Sequence, residues 1–538
     1  MQESIFDVLY PKYKITKPIR LIEFFAGYGS QALALKYLGV PFEHWKICEW
    51  AVKSIQAYKD IHFSKGGWEY ACVNYDDIPD YDYEEYLFKK GISQNYNEPM
   101  TLEQIKRLGK EKQKEIIANI QITNNLVNIQ QVKGEDLEIV DTDKYDYIMT
   151  YSFPCQDLSL AGKGKGMSDT STRSGMLWEV ERILGECQEL GTLPQILLME
   201  NVPQVHGADN VKDFNKWQLR LEELGYKNYF QDLIATDYGI PQTRNRCFMV
   251  SILGDYCYSF PPKQKLKLKL KDMLEDNVDE KYYLTDKQIE DIQSWNAYEK
   301  PLENMEKTDK ANISPTLTTR SGAYAAGMIL IKNATSKGYL EAEDGDGIDI
   351  SSRMEYHRGT VQKGKTQTIT TKGGENNGVV VNMKTQLCND LIESGKIKEN
   401  DVIRHSYTTS RLNGDMKDLK QNNLSPTLDT RCDCLGVCVG TYQYAKSDNF
   451  MQGKDRLQLG KEVSDTLQTT QKEAIVYNNL RIRKLTPKEC FRLMGVKDKD
   501  FENCAKNQSD ASLYHLAGDS IVVNVLVAIF KELLWIVK

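Results

Sequence analysis

The chain has 538 residues, 41% hydrophobic and 27% charged, which excludes a disordered chain or a small staple-dependent fold and implies more than one domain. Its net charge of −7, from 69 basic and 76 acidic residues, is not that of a protein coated in nucleic acid, so any such contact must come from a local basic groove. The opening MQESIFDVLYPKYK has no apolar core of an export signal and the 12 cysteines have no framework spacing, which predicts reduced thiols in a cytoplasm.

Residues 19–25 (IRLIEFF) form an apolar run that ends at Ala26-Gly27-Tyr28-Gly29-Ser30 and leads into QALALKYLG, whose spacing predicts a helix closed by Gly39. Strand, glycine turn and helix let a backbone approach a ligand and offer it free N–H groups; a plain structural turn has the same pattern. The next run, 45–48, stops at Glu49-Trp50 before a second helical stretch, AVKSIQAYKDI. An acid at such a strand end can accept hydrogen bonds from ribose hydroxyls, and can equally be a helix N-cap or a surface acid. Strands are predicted at 145–150, 196–199 and 248–252, with helices at 176–184 and 214–224 between them. That alternation predicts an α/β domain with a parallel sheet.

Residues 81–140 interrupt the rhythm: they are polar, and 101–131 has the pattern of helices with charged faces, an insertion whose purpose the sequence does not disclose. After Pro261-Pro262 the composition turns Lys-, Thr- and Gly-rich, with short β-like runs and no long helix before Lys488. Within this region SPTLTTR (from Ser314), TQTITTK (Thr366), SPTLDTR (Ser425) and SDTLQTT (Ser464) recur, each followed closely by an apolar run, as in a repeated hairpin. The Lys-rich KQKLKLKLK from Lys263 predicts a strand that touches phosphate or is simply solvated. The apolar stretch from Ser520 is broken by Asn524, Lys531 and Glu532, so a buried helix is expected there and not a membrane span.

The stretch Ser152–Ser159, SFPCQDLS, follows the predicted strand YDYIMT directly. A cysteine fixed by Pro154 at a strand's C-terminal end has its thiol open to the crevice where such sheets bind ligands. A free cysteine is by default a small buried hydrophobe, but the turn-forming, polar neighbours of Cys155 favour a functional one. Glu200-Asn201-Val202 follows the strand ILLM, and QTRNR, with Arg244 and Arg246, precedes CFMVSI. A glutamate at a strand end can serve as a general acid and arginines at alternate positions can bind phosphate or a carbonyl oxygen, although singly each also suits a surface ion pair.

Taken in this order, the motifs resemble those of the DNA cytosine-5 methyltransferases, over the stretch before residue 260 and again from Arg483 onwards. The resemblance implies an α/β, Rossmann-like S-adenosylmethionine-dependent methyltransferase domain at 1–255, with the insertion 81–140. It also implies a mostly β target-recognition domain at 256–482, and a segment at 483–538 that organises the recognition domain and returns a helix to the catalytic one. S-adenosyl-L-methionine is the implied cofactor. Around it the resemblance puts Phe25, Gly27 and Gly29 of FAGYGS, Glu49-Trp50, Asp77-Ile78, Pro154, Met176 of RSGMLWEV, and Asp519-Ser520 of AGDSIVV. Cys155 is implied as the nucleophile that adds to cytosine C6, Glu200 as the acid at N3, Arg246 as the donor to O2, and Arg244 as a neighbour of thiol and phosphate, all acting on a base flipped from the duplex.

Gln156 and Ser159 beside the nucleophile are candidate DNA contacts. So are Arg320, Lys372 and Arg431, each following a Thr-rich repeat, unless those repeats are β scaffold alone. The chain departs from the family at Ser30, where a second glycine is usual, and at Asp519, where an asparagine is usual. Double-stranded DNA is the implied partner, of a monomer in a bacterial or phage-type cytoplasm, with a cognate restriction enzyme beside it where the two form a pair. No metal is expected, since Cys432, Cys434 and Cys438 lack a nearby fourth ligand. Two rivals stand: an RNA cytosine-5 methyltransferase, whose relatives have a smaller recognition region, and a DNA-binding protein with a dead catalytic domain, against which the intact Cys155, Glu200 and QTRNR argue.

Overall fold

The computed structural model describes residues 11–63, 82–154, 174–284, 329–335, 338–351, 359–371, 376–382, 401–406, 420–421, 442–445, 456–461 and 480–534. The chain divides into two compact units: Met1–Met273 with Thr368–Gly374 and Thr486–Lys538, and Leu274–Gln367 with Glu375–Leu485.

The first unit is built on a six-stranded sheet of β1 (Ile19–Phe24), β2 (Phe42–Cys48), β3 (Asp146–Tyr151), β4 (Ile196–Asn201), β5 (Tyr226–Ile234) and β6 (Asn245–Leu253), in the order β2-β1-β3-β4-β6-β5. Its helices are α1 (Ser30–Leu38), α2 (Val52–His62), α3 (Tyr83–Lys90), α4 (Leu102–Arg107), α5 (Lys110–Ile122), α6 (Leu177–Leu190), α7 (Val211–Glu223), α8 (Pro487–Leu493), α9 (Asp498–Ala505), α10 (Asp510–Asp519) and α11 (Val523–Leu533). Strands β1 to β4 are parallel. Every residue of β3 and β4 is buried, which is why both read as continuous apolar runs. This is the Rossmann-like α/β architecture that the motifs imply.

The sheet is nevertheless not wholly parallel. Strand β6 runs antiparallel to both β4 and β5. The segment 235–244 between β5 and β6 is too short for a crossover helix, so the two strands close as a hairpin. Strand β5 escapes a search for apolar runs because it is the sheet edge, and its sequence YKNYFQDLI is mostly half-buried or exposed.

The turn after β1 demands its glycines. Phe25, Gly27 and Gly29 have φ of 56°, 54° and 81°, and a Cβ on Gly29 would run into His62 and stand 2.6 Å from Tyr58 Cε2. Behind the turn the buried Glu23 accepts the Tyr58 hydroxyl at 2.6 Å and the Ala32 N–H at 3.2 Å.

The insertion makes α3, α4 and α5, which share a core of Leu87, Ile92, Ile105 and Ile117 with Ile55 of α2. The chain then returns to the sheet edge, where Leu126 N–H donates to Ile47 O at 2.8 Å. At the C-terminus α8 opens with a Thr486/Glu489 capping box, and α11 packs on α1. The span Asp510–Leu533 is apolar enough in composition to cross a membrane, yet 67% of its most apolar stretch is buried inside the fold, the packing of a core helix.

Apart from a 3-10 turn at Glu280–Tyr282, the second unit is β in its described elements. One four-stranded sheet holds 347–349, 361–362, 377–382 and 480–484, another holds 401–406, 420–421, 442–445 and 456–461, and 329–332 pairs with 339–342. The runs after SPTLTTR and TQTITTK are the strands Ile329–Lys332 and Asn377–Asn382; those after the other two repeats lie outside the described residues. The Lys-rich run from Lys263 forms no strand; Lys263 pairs with Asp237 at 3.0 Å.

Candidate active site

The parallel strands deliver their C-terminal ends to one pocket of about 570 Å³, the position at which open α/β sheets bind ligands. One end is walled by Phe25 and Gly27 after β1 and by Glu49 and Trp50 after β2. The Glu49 carboxylate is buried and satisfied by backbone: Oε2 accepts the Gly27 N–H at 2.9 Å and Oε1 the Ala51 N–H at 2.8 Å. Burial pushes its pKa up to about 7 in spite of these amides. Asn125 brackets the same residue, accepting the Glu49 N–H at 3.1 Å and donating to its carbonyl at 2.9 Å. Gly29 faces away from the pocket, against Tyr58 and His62.

The other end holds Glu200 at the close of β4 and Arg246 on β6, paired at 3.1 Å between Nε and Oε1. Burial raises the Glu200 pKa, and the charges of Arg246 and Arg244 oppose the rise. Asn201 donates from Nδ2 to the Phe153 carbonyl at 3.0 Å, while its Oδ1 accepts the Val202 N–H at 2.8 Å. It thereby ties the end of β4 to the backbone leading into Pro154. Met176, Asp519 and Ser520 also line the pocket.

Arg244 lines the pocket but is engaged structurally. It is buried and donates to the carbonyls of Ile369 at 2.9 Å, Gly518 at 3.0 Å and Ser520 at 2.6 Å. Gln242 adds to this brace, donating to Leu493 O at 2.7 Å and accepting the Ile369 N–H at 3.2 Å. QTRNR therefore knots the C-terminal helices and the second Thr-rich repeat to the rim of the pocket, a role invisible in the motif itself because its partners are main-chain carbonyls far along the chain.

The profile of the C-5 cytosine-specific DNA methylases matches residues 105–535. The chain belongs to that family. Among curated relatives it is 38% identical over 276 residues to the type II methyltransferase M2.ScrFI of Lactococcus lactis subsp. cremoris, covering 51% of this chain and 72% of the relative. It is 37% identical over 272 residues to the orphan methyltransferase M.SssI of Spiroplasma monobiae, covering 49% and 67%. The orphan methyltransferase M.SPRI of Bacillus phage SPR aligns at 26% identity over 445 residues, covering 75% and 87%.

In this DNA cytosine-5-methyltransferase the pocket gathers Phe25, Gly27, Glu49, Trp50 and Pro154 with Met176, Glu200, Arg244, Arg246, Asp519 and Ser520. Asp77, Ile78, Cys155, Gln156, Ser159, Arg320, Lys372 and Arg431 lie outside the described residues, as do Cys432, Cys434 and Cys438. The wall beside β2 is made by Asn128, Ile129 and Gln130. Sequence reading did not single them out, although NIQQV stands near the strand YDYIMT. It also missed Asn95, Tyr96 and Asn97 of the insertion, and His515.

Proposed function

We propose that the enzyme methylates cytosine C5 within a specific double-stranded DNA sequence, with Cys155 as covalent nucleophile, S-adenosylmethionine as donor and the target base turned out of the duplex. The observation that carries this reading is a pair of buried carboxylates, Glu49 and Glu200, on one pocket, with β3 and the Pro154 loop between their strands in the sheet order.

The residues present fit the donor. Gly27 leaves open space where a Cβ would stand, so its backbone can meet a ligand, and Glu49 offers a fixed acceptor for ribose hydroxyls. Phe25 and Trp50 are apolar faces for the adenine, and we assign its polar edge to Asn128, in place of Asp77. When bound, S-adenosylmethionine supplies the sulfonium methyl that becomes bonded to C5.

The chain's own groups prepare that carbon. Cytosine C5 is a weak nucleophile, and addition of the Cys155 thiolate at C6 with a proton at N3 makes it enamine-like. Glu200 is assigned the proton, because burial favours its acid form while Arg246 steadies the carboxylate left behind. Arg246 is assigned the cytosine O2. After C5 has gained the methyl, a base removes its proton, the C5–C6 double bond re-forms and the bond to Cys155 breaks, releasing the thiolate.

The second domain, read from sequence as 256–482, is assigned the choice of target. The enzyme is read as a monomer. A cognate restriction endonuclease suits the type II relative, and solitary action suits the orphan ones.

Replacing the C5 hydrogen by fluorine closes the exit from the adduct. Duplex DNA with 5-fluorocytosine at its site, plus S-adenosylmethionine, should give a complex that survives denaturing electrophoresis, with the link mapped to Cys155. Cys155→Ala should form none while still binding DNA. A link to another cysteine, or methylation by Cys155→Ala, would sink the mechanism.

A further inference from the structure

Besides Asn128–Gln130, the insertion reaches the pocket through a second stretch, the loop after α3. Asn95, Tyr96, Asn97 and Pro99 line it together with Glu49 and Asp519. The loop is stitched to the pocket's own wall: Ser93 N–H donates to Trp50 O at 2.8 Å, and Val52 N–H donates to Ser93 O at 2.9 Å. Asn95 Oδ1 then accepts the N–H groups of Asn97 and Glu98 at 2.9 and 3.2 Å, and within this turn Tyr96 adopts φ of 63°. A tyrosine is held in the left-handed region only where its surroundings over-determine it.

What holds it is a ring on the opposite rim. Tyr96 lies flat on His515 of α10, with centroids 4.0 Å apart and planes at 15°. Its hydroxyl is 3.5 Å from Ser54 Oγ on α2. His515 Nδ1 stands 3.1 Å from Oδ2 of Asp519, the residue that differs from the family's usual asparagine. Burial first, and then the nearby carboxylates of Glu49 and Asp519, keep the Tyr96 phenol protonated and therefore a donor.

We propose that this loop is a clamp on the methyl donor, in which Tyr96, stacked on His515, closes the pocket over the donor's ribose and methionyl portion. The idea rests on reading the pocket as the S-adenosylmethionine site, and it gives the insertion a purpose. The stack joins two segments far apart in sequence across the rim, so the wall is ordered before a ligand arrives and less ordering is left for binding to bring about. Tyr96, Asn95 and Asn97 add hydrogen-bonding groups where ribose hydroxyls and a zwitterionic amino acid would lie.

Calorimetric titration of the full-length protein with S-adenosylmethionine and with S-adenosylhomocysteine tests this. Tyr96→Ala should weaken both by about tenfold, as the wall must then be ordered on binding, with melting temperature lowered by no more than about 5 °C and cofactor-free DNA binding unchanged. Tyr96→Phe, which keeps the ring, should stay within about threefold of wild type. Should Tyr96→Ala not fold, His515→Ala removes the other ring and decides in its place. Wild-type affinity in the alanine variant overturns the clamp, and so does an equal loss of cofactor affinity, DNA binding and thermal stability, which would mark a purely structural staple. If the wild type binds neither compound, it is the reading of the pocket that fails.

Discussion

The two buried glutamates of the pocket are alike in burial and unlike in company. Glu49 is held by main-chain N–H groups, which are fixed dipoles with no freedom to leave, whereas Glu200 is held by the side chain of Arg246, which can swing or be drawn towards a substrate oxygen. Both pKa values are raised first by burial. The opposing terms differ: backbone amides hold down the one and arginine charges the other. A carboxylate pinned by backbone suits permanent acceptance of hydroxyls, and one balanced against a movable cation suits a proton that must come and go.

The comparison breaks most visibly at Glu200. Replacing it by glutamine keeps the shape and removes the acid, so kcat should fall by about 10²- to 10⁴-fold while the affinity for S-adenosylmethionine stays put. Single-turnover methylation of duplex DNA measures the first and calorimetry the second. A fall in cofactor affinity at Glu200→Gln would mean that the two carboxylates share one task. Glu49→Gln should do the converse: cofactor affinity weaker by about tenfold or more, as a charged acceptor becomes neutral, with kcat recovered at saturating donor. A kcat that stays low at saturation would place Glu49 in the chemistry.

Glu200 was legible in sequence because it ends β4, whose burial on both faces leaves an unbroken apolar run, and Glu49 because it follows the buried last three residues of β2; a run that stops at an acid is easy to see. Phe25–Gly29 was legible for a similar reason, since the left-handed turn demands glycine. Strand β5 was not, because an edge strand alternates with solvent and resembles a loop. Asn128 was hidden by topology: it borders β2 only after the chain has left the sheet, made the helices α2 to α5 and returned. Tyr96 and His515 meet only in three dimensions, and Arg244 is recognisable as a brace only once the carbonyls it bonds are known. Residues that act through neighbours in sequence could be read, and those that act through distant partners could not.

The smallest effect expected is a pH dependence, and its sign separates Glu49 as a ligand-binding group from Glu49 as a buried acid. With its pKa at about 7, Glu49 is largely protonated in the free protein below neutrality, and ribose hydroxyls are accepted best by the ionised form. Cofactor affinity should therefore rise as pH rises through about 7, with protons released on binding below that point, which titrations in buffers of different ionisation enthalpy would reveal. Stability runs the other way. A carboxyl whose folded pKa is raised contributes stability that is fully present below its unfolded pKa and lost as pH climbs through about 7, and Glu23, also pushed up to about 7 by burial, behaves alike. His62, lowered by burial to about 3, and His44, lowered in the same sense, oppose them, contributing stability that is lost as pH falls below the ordinary imidazole range. The melting curve of the wild type between pH 5 and 7 thus sums cancelling trends, and the informative quantity is the difference from Glu49→Gln. That difference, wild type minus variant, should shrink as pH rises from 5 to 7.5 without cofactor and stay nearly level over the same range with saturating S-adenosylmethionine, because Glu49 is then ionised in both the bound and the unfolded protein. Parallel changes in both conditions would show that Glu49 is a buried acid of the fold with no hand in holding the donor.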